Sequence, residues 1–244
     1  YMMPYLENRI ISVVRAPSGI NNNTFFKKHL ENQNGYLEKI NISSKNDKEK
    51  DYYYILDEIA LLSEVQMNSY EFHIWGSNAS NKNKPNMMVF DLDPDESLSL
   101  DKLRLGVKYL KETLDNLNLK SFLKTSGGKG YHVVVPFKNN LTWNKFYKIS
   151  EDIANILKNT YPELFTTNIR KEKRKKKIFI DYLRNQKSAT FVAPYSVRLR
   201  KNAPVSMPIS WSELDKIKPN EITIDKAIKR LKKKDPWEDF FTSN

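Results

Sequence analysis

The chain has 244 residues, enough for one large core or for two small ones sharing a cleft. A hydrophobic fraction of 39% excludes wholesale disorder, and 41 Lys and Arg against 29 Asp and Glu give a formal charge of +12, which points either to nucleic acid or to a plain lysine-rich composition. The absence of cysteine excludes disulfides, thiolate metal sites and a cysteine nucleophile; no apolar run approaches the roughly 20 residues of a membrane span, and no signal-peptide layout opens the chain.

A cytoplasmic, nucleoid-associated protein without a membrane partner is therefore expected. The opening, Tyr1 to Leu6, begins abruptly in apolar residues, as if inside a larger element. Ile10 to Arg15 is β-branched and reads as a strand running into a turn at Ala16 to Gly19. Next come Phe25, Phe26, Lys27, Lys28 and His29. Paired aromatics beside paired lysines suit base stacking next to a phosphate, and they equally suit a strand with one buried Phe and solvated lysines. Residues 43–51 are polar and aperiodic and read as a loop or hairpin tip, followed by a short strand at Tyr52 to Ile55. Leu56 to Met67 carries Ile59, Leu62 and Val65 at helical spacing. Tyr70 to Trp75 alternates, which puts His73 on a strand, as a ligand to a hydroxyl or as a satisfied structural histidine.

Met87 to Phe90 runs straight into Asp91, Leu92, Asp93 and Pro94. Alternation along an extended chain puts both carboxylates on one face, and the proline stops the strand. Two acids aimed at one point suit a hard divalent cation; a solvated Asp-Pro turn is the alternative. Leu103, Val107, Leu110, Leu114 and Leu117 mark an amphipathic helix. Then three of the chain's seven glycines fall within four positions, in Thr125, Ser126, Gly127, Gly128, Lys129, Gly130, Tyr131, His132. The spacing is not that of a Walker loop, and the stretch reads as a phosphate cradle or as a glycine-rich hairpin. Strand, helix and strand from Met87 to Pro136 would make acids and glycine loop neighbours in one sheet.

Trp143 to Asn159 reads as a second amphipathic helix. Arg170 to Lys177 holds seven cations in eight residues, a solvated face or a general phosphate attraction. Ile178 to Asp181 repeats the pattern of apolar strand and terminal acid, and a third carboxylate could complete an oxygen-ligand set for two divalent ions. Arg198 and Arg200 share a face of an extended run that starts at Thr190. From Ser206 onward the chain reads as packing and basic exterior.

Four of these segments, taken in order, strongly resemble the polymerase domain of the bacterial end-joining ligase LigD, of the archaeo-eukaryotic primase superfamily. They are Phe90 to Pro94, Lys124 to His132, Phe179 to Asn185 and Ala193 to Arg198. The resemblance implies an α+β, primase-like fold, with an RRM-like catalytic sheet and an N-terminal α/β portion around a central cleft. It implies a single domain over residues 1–244, in which about 1–80 packs on a core of about 81–244. It also implies two-metal addition of nucleoside triphosphates, ribonucleotides preferred, to a primer 3′ hydroxyl, with Mn²⁺ or Mg²⁺. On that basis Asp91, Asp93 and Asp181 match the metal-binding catalytic acids. Ser126, Lys129, His132 and Arg198 match the nucleotide site, with His73 near the sugar. Phe25, Phe26 and Lys28, with Arg15, match the DNA platform. The implied partners are DNA with a 3′ overhang or gap and a 5′ phosphate, nucleoside triphosphates, a Ku-like end-binding protein and a ligase domain. Family members carry a lysine-bearing segment for the 5′ phosphate ahead of Tyr1, and the basic run at Arg170 to Lys177 exceeds the family's usual loop. A noncatalytic nucleic-acid-binding module, a two-metal nuclease and a primase acting on single strands remain alternatives.

Overall fold

The computed structural model describes residues 1–20, 22–30, 35–44, 47–138 and 140–243. After a short helix α1 (Met3–Leu6), the β-branched run forms β1 (Arg9–Arg15). Then follow β2 (Phe25–Lys27), β3 (Glu38–Ser44), β4 (Asp47–Ile55), α2 (Glu58–Gln66) and β5 (Ser69–Asn78). The second part of the chain supplies β6 (Met87–Pro94), α3 (Leu100–Asn116), β7 (Phe122–Thr125), β8 (Tyr131–Pro136) and α4 (Trp143–Thr160). It ends with β9 (Phe165–Thr166), β10 (Ile178–Asp181), β11 (Phe191–Val192), β12 (Pro208–Ile209) and α5 (Ile224–Arg230). Two sheets result, the first with its named strands antiparallel throughout and the second mixed, with β9 parallel to β10. The first has the order β11-β5-β1-β4-β3 with β2 on β1; the second has the order β12-β7-β8-β6-β10-β9. Through β11 the later part of the chain joins the sheet built by the earlier part.

The pleat of β6 explains the layering. Met88, Phe90 and Leu92 point one way, onto Leu103, Val107, Leu110 and Leu114 of α3 and Phe146, Ile153 and Leu157 of α4. Met87 and Val89 point the other way, into a core shared with Ile11, Val13, Tyr53, Phe72 and Ile74 of the first sheet. The molecule is thus sheet on sheet on helices, and β6 is buried on both faces, which is why it reads as an unbroken apolar run. Each such side chain contributes roughly 1.5–3 kcal/mol on burial. The two acids follow the pleat of Met87 and Val89, so they open toward the first sheet at the end where Pro94 closes the strand. Asn185, 1% exposed, bonds both backbone groups of Val89 at 2.8 Å and so ties the turn after β10 to the middle of β6.

Three regions fold otherwise than their sequence suggests. Most of 43–51 belongs to a β3–β4 hairpin whose register runs to Ser44 opposite Asp47; residues 45 and 46 of that expected tip lie outside the described residues. The helix expected at Leu56 to Met67 forms as α2, but Ile59, Leu62 and Val65 face outward at 59%, 63% and 50% exposure. Its inner side is Ala60 and the fully buried Glu64, which holds Arg15 and Lys27 and so fixes the helix's rotation. The run from Thr190 is extended only at β11; Tyr195 has a positive φ of 66°, and Arg198 and Arg200 lie in the turns beyond it. Among the described residues no helix is long and apolar enough to cross a membrane.

Candidate active site

Strand register assembles the site. β8 and β10 flank β6, pairing His132 and Asp181 with Asp91 from opposite sides, and β7 pairs Lys124 with His132. One row across four strands therefore reads Lys124, His132, Asp91, Asp181, and Asp93 lies two residues along β6 on the same face. The three acids are gathered at one end of β6.

Their electrostatics show what such crowding costs. Burial disfavours the charge on Asp91, but His132, Arg184 and Lys124 outweigh it and hold the group below the ordinary carboxylate range. Asp93 is pushed up to about 7 by burial, then by Asp91 and Asp181. Asp181 is raised by burial; Arg184, whose Nε lies 3.0 Å away, lowers it, and Asp91 raises it. Asp91 Oδ1 is buried 3.3 Å from His132 Nε2 but has no hydrogen bond. Among the described residues no three acids or histidines are already arranged around one metal position: Asp181 turns to Arg184 and to the amide of Leu183 at 3.1 Å. An all-carboxylate donor set, one buried oxygen without a partner and one acid driven toward protonation by burial and its acidic neighbours together fit hard divalent cations. Fully buried Lys124 donates to Ser206 Oγ at 2.5 Å, and burial lowers its pKa well below the ordinary lysine value.

The glycine stretch is the tight hairpin between β7 and β8, laid directly on β6. A Cβ on Gly130 would sit 1.9 Å from the carbonyl oxygen of Leu92, and Gly127 takes a φ of +67°. Its amides are partly committed: Gly127 N–H donates to Pro219 O at 3.0 Å, and Gly128 N–H to Ser126 Oγ at 3.0 Å. Lys129 stands at the mouth, its ammonium 2.5 Å from exposed Glu96. It shares a cavity of about 360 Å³ with Asp93, Lys171 and Arg174, so the basic run borders Asp93.

Arg198 joins this hairpin to the first sheet. Its Nη1 donates to Ser126 O at 2.7 Å, and its Nε makes an ion pair with Glu71 at 3.1 Å outside hydrogen-bond geometry. Glu71 also bonds His73 Nε2 at 3.0 Å and accepts from Leu199 N–H at 2.7 Å. Burial opposes its charge, but His73 and Arg198 prevail and hold the carboxyl down to about 2. Burial lowers the His73 pKa, and its ring meets Phe26 edge-on at 5.8 Å.

Phe25 and Phe26 are half exposed, at 50% and 51%, on a strand at the rim, and Lys28 lies over the Tyr52 ring at 5.6 Å. Arg15 is placed differently from its expected role on the DNA platform. Its guanidinium grips both oxygens of Glu64 at 3.0 Å and is committed to an internal pair that no sequence spacing announced. Glu71, Lys124, Arg174 and Arg184 were not singled out in the sequence: Glu71 lay in the alternating run of β5, and the other three lay inside longer segments noted for other residues.

Carboxylates at strand ends beside a lysine-bearing glycine hairpin, on a sheet backed by two helices, define a polymerase-type catalytic domain of α+β architecture. The chain belongs to the family described as LigD, primase-polymerase domain, whose model matches residues 1–237. That family consists of DNA-directed nucleotidyltransferases. The chain is 36% identical over 244 residues to the multifunctional non-homologous end joining protein LigD of Pseudomonas aeruginosa, covering 96% of this chain and 28% of that one. It is 31% identical over 247 residues to the bifunctional non-homologous end joining protein LigD of Bacillus subtilis, covering 99% of this chain and 39% of that one. It therefore spans well under half of those relatives. The fold matches the polymerase domain of Mycobacterium tuberculosis ligase D, a structure in complex with DNA, with a TM-score of 0.90 at 24% identity, covering 99% of this chain and 87% of that one.

Proposed function

We propose that this domain adds nucleoside triphosphates, ribonucleotides in preference, to a primer 3′ hydroxyl at gaps and broken DNA ends during non-homologous end joining. The observation that carries this reading is the register that brings Asp91, Asp93 and Asp181 together beside Lys129. Metal use is typical of the family. Asp91, Asp93 and Asp181 would hold two divalent ions, Mn²⁺ or Mg²⁺, which when bound acidify the primer hydroxyl and neutralise the leaving pyrophosphate. Phosphoryl transfer needs alignment and charge more than a protein nucleophile. Lys129 and Arg198 supply cations to the triphosphate, and Ser126 supplies a hydroxyl. His132, between Lys124 and Asp91 in strand register, closes the nucleotide site beside the acids. His73, oriented by Glu71, faces the sugar, while Phe25, Phe26 and Lys28 stack and neutralise the template strand. A Ku-like protein and a ligase domain are the partners this reading implies, and the nucleoid its place of work.

A nuclease needs the acids but no triphosphate pocket, so Lys129 and Arg198 disfavour it. The test offers a gapped, 5′-phosphorylated duplex, a 3′-overhang duplex and an unprimed single strand, with each triphosphate in turn, in Mn²⁺ or chelator. Metal-dependent growth of the primer by the templated nucleotide is expected. Synthesis confined to the unprimed strand would make it a primase, strand cleavage a nuclease, and salt-sensitive binding without either reaction a noncatalytic module.

A further inference from the structure

We infer that a second phosphate-binding site lies at the opposite end of β6 from the acids, in the cavity floored by Arg9 and rimmed by Lys84 and Lys138. The cavity, about 510 Å³, begins at Met87. That places it roughly 20 Å of strand away from Asp93, at about 3.3 Å per residue. Its size falls within the roughly 300–1,000 Å³ of small-ligand sites.

Arg9 is the anchor. It is 4% exposed, and its Nη1 donates to Trp75 O at 3.1 Å and to Asn86 Oδ1 at 3.0 Å. Among the described residues it pairs with no carboxylate, whereas the less buried Arg15 and Arg198 each hold a glutamate. Burial alone brings its pKa down to about 10. A desolvated cation without a counter-charge is costly, and a bound oxyanion relieves that cost. Among the described residues the ammoniums of Lys84 and Lys138 bond only backbone oxygens, Asn140 O at 2.9 Å and Thr242 O at 3.0 Å. No acid lines the cavity among the described residues.

Three cations and no acid select an anion, and a guanidinium fork beside ammoniums suits phosphate oxygens. Phe240 and Phe241 give the cavity an apolar wall against which a base or a sugar could lie. A mononucleotide and a nucleic-acid backbone offer the same phosphate chemistry.

The test follows the side-chain amide of Asn86 by ¹H–¹⁵N NMR on the full chain in chelator. Inorganic phosphate, AMP and a single-stranded oligonucleotide lacking terminal phosphates are added in separate titrations. Saturable shifts are expected, at least about tenfold weaker in affinity in a Lys84→Met, Lys138→Met double variant that keeps its primer extension. Arg9→Lys keeps the charge but loses the fork, and it is expected to weaken phosphate binding while the variant stays folded. AMP binding tighter than phosphate marks a free nucleotide as the ligand; oligonucleotide binding that displaces phosphate marks a backbone. No saturable shift with any probe, equal affinity in the double variant, or acetate binding as well as phosphate overturns the site.

Discussion

Glu71→Gln tests the link between the two sheets. Glu71 holds His73, the Arg198 guanidinium and the Leu199 amide at once. Its carboxyl sits at about 2 instead of 4.5, and linkage converts that difference to ~3 kcal/mol of stability at neutral pH. Glutamine keeps the bond to Leu199 and removes the charge, so the expected loss is ~2 kcal/mol, or about 4–8 °C in Tm for a chain of this size. A depressed acid stabilises fully above its unfolded pKa and loses that contribution as pH falls through its folded pKa. The gap between wild type and variant should therefore be full at pH 7 and close between about 4.5 and 2. Denaturant titrations across that window measure it. With Arg198 and His73 released, KM for nucleotide should rise more than kcat falls. A gap that does not change with pH, or unaltered nucleotide KM, would refute the linkage.

Other expectations follow from single contacts. Gly130→Ala drives a methyl into the Leu92 carbonyl and lifts the hairpin off β6, with an expected loss of ~1–3 kcal/mol in denaturation and a larger loss of nucleotide addition. Asn185→Leu leaves both backbone groups of Val89 unpaired, and a loss of ~2–4 kcal/mol should appear in urea titrations. Phe26→Ala should weaken single-strand binding by ~1–3 kcal/mol in fluorescence anisotropy while leaving Tm nearly unchanged, because the ring is half exposed.

The parts of the molecule legible in its sequence are those where one physical cause acts alone. Burial on both faces makes β6 a continuous apolar run ending at a proline, and a tight turn demands Gly127 while close approach to β6 demands Gly130, so the acids and the glycine stretch stand out in the sequence. Asp181 was legible for the same reason as Asp91. Residues whose environment is made by distant chain were not. The outward turn of α2 depends on a buried Glu64 gripping Arg15, and apolar spacing at Ile59, Leu62 and Val65 points the wrong way. The row from Lys124 through His132 and Asp91 to Asp181 exists only in strand register, which neither composition nor spacing encodes. Glu71 was visible only as a member of the alternating run Tyr70 to Trp75, because two of its partners, Arg198 and Leu199, lie far along the chain.

The central claim is that the three acids work as one centre for nucleotide addition. Asp93→Ala, compared with wild type on a gapped duplex in saturating triphosphate and Mn²⁺, tests it most directly, with duplex binding measured on the same samples. Loss of primer growth by at least about a thousandfold with duplex binding retained is the predicted result, a deficit of ~4 kcal/mol in the transition state. Primer growth at the wild-type rate would contradict the account.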